Sequence, residues 1–449
     1  MQDYPDKRFC VIGAGPSGLT VAKNFRQRNI PFDCFESQDD VGGNWFYGSP
    51  ASSVYASTHL ISSKRMTEYT DFPMPKGIAP YPSHVEVLSY LRRCAEHVAL
   101  RERITFGTVV RRVERAGSLW RVTTSPRNDP RAEVTREYLG VGVANGHHWE
   151  PLLPELPGDF AGRVLHSHDY KTPNILADKR VLVVGAGNSG CDIAVESAQH
   201  AAATYLSMRR GYHFIPKFLL GRPTDRLADS LHRKHVPRWL QRWISTILVR
   251  IALGPPHRYG LPRPEHRLFE THPIINSQLL YYVGHGGIQP KPDIASAHGN
   301  TVRFRDGSEE SIDTIIYATG FKVSFPFLDS RLILDDRNRP CLYLNVFHPE
   351  EENLFVAGLI QPNSGLWGLA DYQAQLISAY IVARQQDSQR ARWFRGLKAK
   401  PLDLGNGIRY VDSPRHVLEV EYYSYRRQLK KLLAEFGPSA TLPYEAEHG

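Results

Sequence analysis

The stretch that decides the fold is RFCVIGAGPSG, at residues 8–18. The apolar run in residues 8–12 predicts a β-strand, and a turn with GxGxxG spacing follows it. In such a turn Gly13 permits the tight bend, Gly15 lets a pyrophosphate approach the backbone, and Gly18 lets helix and strand pack closely. Residues 19–28 predict a helix and residues 31–36 a second strand. The stretch therefore predicts a βαβ unit with an anion site at the helix amino terminus.

The same pattern returns in residues 180–209. A strand is predicted at 180–184, a helix at 191–200 and a second strand at 203–208, and the turn between the first strand and the helix is GAGNSG, with glycines at Gly185, Gly187 and Gly190. A glycine turn alone can exist for steric reasons, but both turns here follow a strand and precede a helix. The sequence therefore predicts an α/β protein with two Rossmann-like dinucleotide-binding domains.

The residue that ends the second strand of each copy discriminates between nucleotides. Glu36 has this place in the first copy, and a carboxylate there accepts hydrogen bonds from ribose hydroxyls and repels a 2′-phosphate. In the second copy the place is taken by Met208, with Ser207, Arg209 and Arg210 around it. Two guanidiniums and no acid favour NADPH over NADH, whereas the first copy suits FAD or NAD. The alternative interpretations are that Glu36 is a solvated glutamate at a strand end, and that Arg209 and Arg210 form an exposed basic turn.

Composition narrows the class of protein. The 449 residues are 41% hydrophobic and 22% charged, which excludes a mostly disordered or fibrous chain. No apolar run reaches the length of a membrane span. The five cysteines form no CxxC pair and no zinc spacing, so no metal site is predicted. The first strand leaves no room for a secretory signal, so we expect a cytoplasmic protein. The net charge of +9 comes without a nucleic-acid-binding motif, so no nucleic-acid partner is expected.

Prolines and charge mark the domain organisation. Pro151, Pro154 and Pro157 indicate a boundary before the second copy. Residues 211–275 break the alternation of strands and helices, are rich in Arg, His and Pro, and include an amphipathic run at 227–253. They predict a helical insertion, which either rests on a membrane or covers the active site or a subunit interface. We favour the second interpretation. Strand-like runs that end in Gly320 and Gly358 suit the carboxyl edge of a parallel sheet, and the tail, residues 376–449, is predicted to be helical.

Further motifs resemble those of the flavin-containing monooxygenases, from about residue 8 to about residue 375. The fingerprint FxGxxxHxxx(F/Y) of that family is matched by Phe160, Gly162, His166 and Tyr170. Residues 41–45, 71–73 and 318–321 resemble its GGxW, DFP and ATG(F/Y) segments. The related Baeyer–Villiger monooxygenases usually end the fingerprint in Trp. Tyr170 therefore favours the group that oxidises nitrogen and sulfur.

The resemblance implies FAD and NADPH as cofactors and a small-molecule amine or sulfide and O2 as substrates. The resemblance further implies that one oxygen atom is transferred through a C4a-hydroperoxyflavin without a side-chain nucleophile, and that His166 has a positioning role. It also implies an FAD-binding domain at 1–172, an NADPH-binding domain with the insertion at 173–322, and at 323–449 the second part of the FAD-binding domain with the tail. The sequence leaves a homodimer open. The predicted cofactor-binding residues are Gly13, Gly15, Ser17, Gly18, Glu36, Gln38, Gly43, Asn44, Trp45, Thr58, His59, Gly185, Gly187, Asn188, Ser189, Gly190, Ser207, Arg209, Arg210, Thr319, Gly320 and Gln373.

One departure from the family pattern concerns the segment at 57–64. Ser62, Ser63 and Lys64 fit it, but Ile61 stands where the family usually has Asn, and His59 is the candidate substitute near the flavin. The missing amide bears on how well the oxygenated flavin is protected. The alternatives to oxidation of nitrogen or sulfur are therefore Baeyer–Villiger oxygenation of ketones, an NADPH oxidase that releases H2O2, and a binding scaffold without activity.

Overall fold

The computed structural model describes residues 8–408, 410–411 and 416–437. The helix His84–His97 is amphipathic and buries one face, whereas the helices Pro16–Gln27 and Trp367–Gln385 are buried over most of their residues. The α-helices are α1 (Pro16–Gln27), α2 (Lys64–Thr67), α3 (His84–His97), α4 (Asn188–His200), α5 (Thr224–Arg233), α6 (Arg238–Leu253), α7 (Leu279–Gly284), α8 (Trp367–Gln385), α9 (Gln389–Lys398) and α10 (Tyr422–Phe436).

The strands are mostly short. They are β1 (Phe9–Ile12), β2 (Phe32–Phe35), β3 (Ile104–Thr105), β4 (Thr108–Ala116), β5 (Leu119–Pro126), β6 (Val134–Tyr138), β7 (Gly140–Val143), β8 (Glu150–Pro151), β9 (Gly158–Phe160), β10 (Arg163–His166), β11 (Arg180–Val184), β12 (Ala203–Ser207), β13 (Phe214–Ile215), β14 (Phe218–Leu219), β15 (Arg222–Pro223), β16 (Ile274–Ile275), β17 (Gln289–Lys291), β18 (Ile294–Gly299), β19 (Thr301–Phe304), β20 (Glu309–Ser311), β21 (Thr314–Tyr317), β22 (Phe321–Lys322), β23 (Leu354–Val356), β24 (Gln361–Pro362) and β25 (Glu419–Val420).

The chain forms two compact units. The first comprises the described residues up to Ser52, residues 62–147 and those from Val323 onward. Its parallel sheet has the order β23-β7-β1-β2-β3, and an antiparallel sheet has the order β4-β5-β6. All four residues of β1 are buried, as expected for a central strand of a parallel sheet with both faces covered. The first unit is therefore a Rossmann-like domain built around β1.

Helix α1 is covered on both sides. Pro16 stands at its first position, where a missing N–H costs nothing, and Leu19, Ala22 and Phe25 are buried. The Lys23 side chain is 1% exposed and pairs with Asp71 and with Asp371 of α8, the latter at 2.9 Å. The DFP segment is thus attached to α1 through a buried ion pair.

The second unit comprises residues 53–61 and 148–322. Its parallel sheet has the order β10-β21-β11-β12-β17, and α4 connects β11 to β12. A four-stranded sheet, β20-β19-β18-β9, accompanies it. In both units the strand before the glycine turn lies between the strand that follows the helix and a strand from later in the chain. The predicted fold class, two Rossmann-like domains in an α/β protein, is confirmed.

The second unit includes residues that precede position 173, where the second domain is expected to begin. Residues 148–172 belong to the second unit because β10 pairs in parallel with β21. Residues 53–61 belong to it because Tyr55 is buried in its hydrophobic core and donates a hydrogen bond to Asp192 at 3.1 Å. Both contacts join residues far apart in sequence.

The insertion contains helices and short strand pairs. The amphipathic run at 227–253 forms two helices, α5 and α6, which are separated at Pro237, and β13 pairs with β16 and β14 with β15. Helix α6 has no buried residue, and Trp239, Trp243 and Ile251 are 68%, 60% and 77% exposed. Within the described part of the chain, no helix combines the length and the apolar character that crossing a membrane requires. The end of the tail, residues 438–449, lies outside the described residues.

Two candidate dinucleotide sites

The first glycine turn joins β1 to α1. Gly13 has a φ of +96°, and a Cβ there would lie 2.6 Å from the carbonyl oxygen of Ala144, so no larger residue fits. A Cβ on Gly18 would overlap the carbonyl oxygen of Gly13. Gly15 is the N-cap of α1, and no side chain caps the helix. The amide groups at the start of α1 are therefore available to an anionic ligand.

A second glycine segment lies against this turn. Gly43 has a φ of +53°, and a Cβ there would lie 2.9 Å from the Cα of Gly15. The amide of Gly42 donates to the carbonyl of Ala14 at 3.0 Å, which holds the two backbones together. The result is a surface without side chains beside the uncapped end of α1. This cradle fits the pyrophosphate of a dinucleotide, as the spacing of the first turn requires.

Glu36 lies directly after β2 and is 5% exposed. Its carboxylate accepts hydrogen bonds from the amides of Ala14 at 2.7 Å and Gln38 at 2.9 Å. Burial raises the pKa of this carboxyl, and the backbone donors oppose that rise. The Oε1 atom of Glu36 also accepts from the Ser37 hydroxyl at 3.2 Å, whereas Oε2, which accepts from Ala14, has a further lone pair for a ribose hydroxyl. The side-chain amide of Gln38 donates from Nε2 to the Ser37 hydroxyl and accepts at Oε1 from Arg127.

The other predicted residues of the first unit are placed less directly. Ser17 is in the first turn of α1, where a Cβ on Gly358 would overlap its hydroxyl. Gln373 is fully buried, accepts from the Gly358 amide at 2.9 Å and donates to Tyr425 at 2.7 Å. Both atoms of its amide group are thus used by the protein, and Gln373 supports the backbone after β23. Trp45 packs edge-on against Trp367 at 5.8 Å, and the carbonyl of Asn44 accepts from Ser52 at 2.6 Å.

The second glycine turn, between β11 and α4, repeats the first almost exactly in its geometry. Gly185 has a φ of +105°, and a Cβ there would lie 2.6 Å from the carbonyl oxygen of Ala318. A Cβ on Gly190 would overlap the carbonyl oxygen of Gly185. Gly187 is the N-cap of α4, again without a side-chain cap. The second unit therefore offers the same kind of anion site.

The segments that pack against the two turns share a sequence pattern, Ala-x-Gly, that was recognised in the second unit alone. Ala144 and Ala318 hold equivalent places, and each is followed by a residue and then a glycine, at Gly146 and Gly320. Only the second of these segments was singled out from the sequence. The Ala-x-Gly pattern after the buried strand β7 would have identified the first.

The Asn188 side chain, at the start of α4, hydrogen-bonds to the segment that ends the insertion. Asn188 accepts from the amide of Ile275 at 2.7 Å and donates to the carbonyl of Pro273 at 3.1 Å. Ser189 follows it in the first turn of α4. Thr319 donates to the carbonyl of Leu152 at 2.5 Å, and Gly320 has a φ of +90°. Asn188 thus attaches the end of the insertion to the helix that begins at the anion site.

The two arginines after β12 have different surroundings. The Ser207 hydroxyl donates to the carbonyl of Pro292 at 2.8 Å, which ties the ends of β12 and β17 together. Arg209 is exposed and lines a cavity of about 720 Å³. Arg210 instead lies over the ring of Tyr212, with Nε 3.3 Å from the hydroxyl oxygen. The geometry therefore favours Arg209 as the residue that meets a phosphate.

The fingerprint residues are structural. His166 ends β10 and is 1% exposed; its Nδ1 accepts from the amide of His168 at 3.0 Å, and its ring meets Phe321 edge-on at 5.1 Å. Burial lowers the pKa of His166, which favours the neutral ring. Tyr170 donates to Glu196 of α4 at 2.5 Å. This carboxylate gives a Tyr at the last fingerprint position a hydrogen bond that Phe would lack.

Two of the predicted residues that precede the fingerprint, Thr58 and His59, also belong to the second unit. Thr58 accepts from the amide of Tyr55 at 3.0 Å. His59 is exposed, and its Nδ1 lies 2.8 Å from the carbonyl of Ser57. Among the described residues no group of three or more His, Cys, Asp or Glu side chains is arranged to hold a metal ion.

These features define a class of protein with two dinucleotide-binding domains, one with an acid and one with a cation at the ribose position. The family model for flavin-binding monooxygenase-like proteins matches residues 6–434, and the chain belongs to that family. It is 32% identical to flavin-containing monooxygenase 5 of Oryctolagus cuniculus, over 95% of this chain and 83% of the relative. It is also 32% identical to dimethylaniline monooxygenase [N-oxide-forming] 2 of Macaca mulatta, over 96% and 83%.

A solved structure gives the same fold. The S-allyl-L-cysteine S-oxygenase of Allium sativum matches with a TM-score of 0.66 and 20% identity, over 95% of this chain and 88% of that one. The chain is therefore a flavin monooxygenase that uses FAD and NADPH.

Proposed function

We propose that this monooxygenase transfers one oxygen atom from O2 to a soft nucleophilic nitrogen or sulfur of a small molecule. Tyr170 supports this substrate class, because it ends the fingerprint where the related Baeyer–Villiger monooxygenases usually have Trp. Its hydroxyl donates to Glu196, so the protein provides a partner for a Tyr at this position. The names of two similar proteins point the same way, since the Macaca mulatta relative is called N-oxide-forming and the Allium sativum protein of the same fold is an S-oxygenase.

We also propose that the first unit binds FAD and the second unit binds NADPH. The observation that carries this assignment is a contrast after the second strand of two otherwise matching units: Glu36 directly follows β2, whereas Arg209 stands one position beyond Met208, the counterpart of Glu36. The buried carboxylate of Glu36 accepts from ribose hydroxyls and excludes a 2′-phosphate. The exposed guanidinium of Arg209 attracts one. The second unit, residues 53–61 and 148–322, is accordingly proposed as the NADPH-binding domain.

The protein contributes binding and orientation. When bound, FAD supplies the redox chemistry, because it accepts a hydride from NADPH and activates O2. The uncapped amides of α1, and the close approach of Gly15 and Gly43, hold the pyrophosphate of the cofactor. The start of α4 does the same for the second dinucleotide. Neutral His166 holds the end of β10 through the amide of His168 and through Phe321, so its role is to position the backbone.

The experiment that tests the substrate class uses 18O2 and three probe substrates: a dialkyl sulfide, a tertiary amine and a cyclic ketone. The holoenzyme is supplied with NADPH, and products are identified by mass spectrometry while NADPH and H2O2 are quantified. We expect 18O in the sulfoxide and the N-oxide. Labelled lactone as the main product would instead assign the chain to ketone oxygenation, and H2O2 equal to the NADPH consumed would make it an oxidase.

A matched pair of variants checks that the products come from this site. Glu36→Ala removes the carboxylate at the ribose position, whereas Glu114→Ala removes a carboxylate of the same unit that is 53% exposed. We expect the first variant to lose labelled product in proportion to lost flavin. The second is expected to keep both.

A further inference from the structure

The cavity at the carboxyl ends of β12 and β17 is built from four parts of the second unit. Its volume is about 720 Å³. Met208 and Arg209 follow β12, Leu261 and Pro262 belong to the insertion, residues 290–293 end β17 and follow it, and the turn between β19 and β20 forms the rim. The Met208 amide donates to the carbonyl of Lys291 at 3.0 Å and fixes the floor. The cavity thus opens beside Arg209, where the adenosine end of a dinucleotide lies in this fold.

Five charged side chains line this cavity, and two of them are already engaged by the chain. The Nζ of Lys291 lies 2.6 Å from Glu310 and is covered by the rings of Tyr205 and Phe304. Asp306 accepts from the amide and the hydroxyl of Ser308, so it closes the turn between β19 and β20. A ligand therefore meets the remaining three charges.

Those three are Arg209, Asp293 and Arg305. The amide of Arg305 donates to the carbonyl of Asp293 at 2.9 Å, which fixes the backbone of Arg305 at the rim. Its guanidinium is 72% exposed and makes one long ion pair, 3.6 Å, with the Asp293 carboxylate. Among the described residues this ion pair leaves most of the donors of the guanidinium unused. It also offsets the charge of Asp293, which would otherwise repel a phosphate.

We propose that Arg305 is a second determinant of NADPH specificity, whose guanidinium binds the 2′-phosphate together with Arg209. The proposal rests on the assignment of NADPH to the second unit. Two guanidiniums can bracket a phosphate dianion with charge-assisted hydrogen bonds, and each adds to the affinity. Leu261 and Pro262 then offer an apolar wall to the adenine, which gives the insertion a part in cofactor binding.

The test measures the binding of 2′,5′-ADP and of 5′-ADP to the FAD-loaded protein by calorimetry, with KM for NADPH and NADH alongside. Arg305→Ala is compared with Arg303→Ala, which removes an arginine of β19 that is 60% exposed and does not line the cavity. Loss of one charge-assisted contact corresponds to about tenfold weaker binding. We expect this loss for 2′,5′-ADP and NADPH with Arg305→Ala, and changes below about twofold for 5′-ADP and NADH. Arg303→Ala is expected to bind all four as the wild type does.

The outcomes separate this proposal from the one on which it rests. If Arg209→Ala loses the preference for 2′,5′-ADP and Arg305→Ala keeps it, NADPH binds at the second unit and the role of Arg305 is refuted. If the wild type binds 2′,5′-ADP and 5′-ADP equally, the assignment of NADPH fails and the role of Arg305 fails with it. Arg305→Gln keeps most of the side-chain stem. Its binding of 2′,5′-ADP and 5′-ADP is measured as well, in case the Ala variant unfolds at a lower temperature.

Discussion

The variant Gly15→Ala tests whether the glycine at this position is required for folding or for FAD binding. Gly15 has a φ of −69°, which Ala adopts without strain, and a Cβ there would lie 3.5 Å from the Cα of Gly43, an ordinary contact. The protein therefore has room for the methyl group. The pyrophosphate does not, because it must approach the backbone at the second glycine of the turn. We expect Gly15→Ala to fold normally and to bind FAD weakly.

The magnitude follows from the contacts that the methyl group disturbs. A backbone amide that donates to a charged phosphate contributes about 1.5–3 kcal/mol, so loss of one such bond weakens FAD binding about 10- to 100-fold. The free energy of unfolding of the apoprotein is expected to change by less than about 0.5 kcal/mol. FAD affinity is measured by fluorescence titration of the apoprotein, and stability by urea unfolding. Gly77→Ala is the control, because a Cβ there meets nothing within 4 Å.

A third variant completes the comparison. Gly18→Ala places its methyl group on the carbonyl oxygen of Gly13, so we expect it to lose both stability and FAD. The reasoning is refuted if Gly15→Ala binds FAD as tightly as Gly77→Ala does. It is equally refuted if Gly15→Ala destabilises the apoprotein as much as Gly18→Ala.

Three other predictions concern charges. Lys23→Met leaves the carboxylates of Asp71 and Asp371 unpaired around α1, so urea unfolding should show a loss of about 3–5 kcal/mol; a loss below about 1 kcal/mol would contradict it. Hydrogen bonds from Arg180 lower the pKa of Asp313 to about 2, so its stabilisation is present above about pH 4 and is lost as the pH falls towards 2. Asp313→Asn should therefore cost about 1 kcal/mol at pH 7, allowing for solvent screening, and less at pH 3; an equal cost at both pH values would refute this. Glu36→Ala should weaken FAD binding about 10-fold or more, measured by ultrafiltration, and unchanged binding would remove Glu36 from the ribose site.

The parts of the fold that sequence predicted are those set by local steric demands. Each glycine turn brings together residues within six positions, and the overlap between the third and the first glycine makes glycine obligatory at Gly18 and Gly190. The spacing therefore identified both turns, and with them the two Rossmann-like domains. The acid at Glu36 could be located for the same reason, because it ends the strand that follows the helix.

The parts that sequence did not predict depend on distant partners. Residues 53–61 join the second unit through Tyr55 and Asp192, which no local pattern connects. The roles of Arg209 and Arg210 differ through a local contact instead, because Tyr212, two residues after Arg210, contacts its guanidinium. Gln373 is predicted to bind a cofactor, and its side-chain amide bonds to Gly358 and Tyr425, which are distant in sequence. A cofactor contact of this residue stays a prediction.

A single turnover tests the central claim most directly. Enzyme-bound flavin is reduced with one equivalent of NADPH without O2, and is then mixed with O2 and a dialkyl sulfide. Sulfoxide and H2O2 are counted per flavin, and NADH replaces NADPH in a parallel run. The account predicts faster reduction by NADPH than by NADH and close to one sulfoxide per flavin. Reoxidation that yields one H2O2 per flavin and no sulfoxide would contradict it.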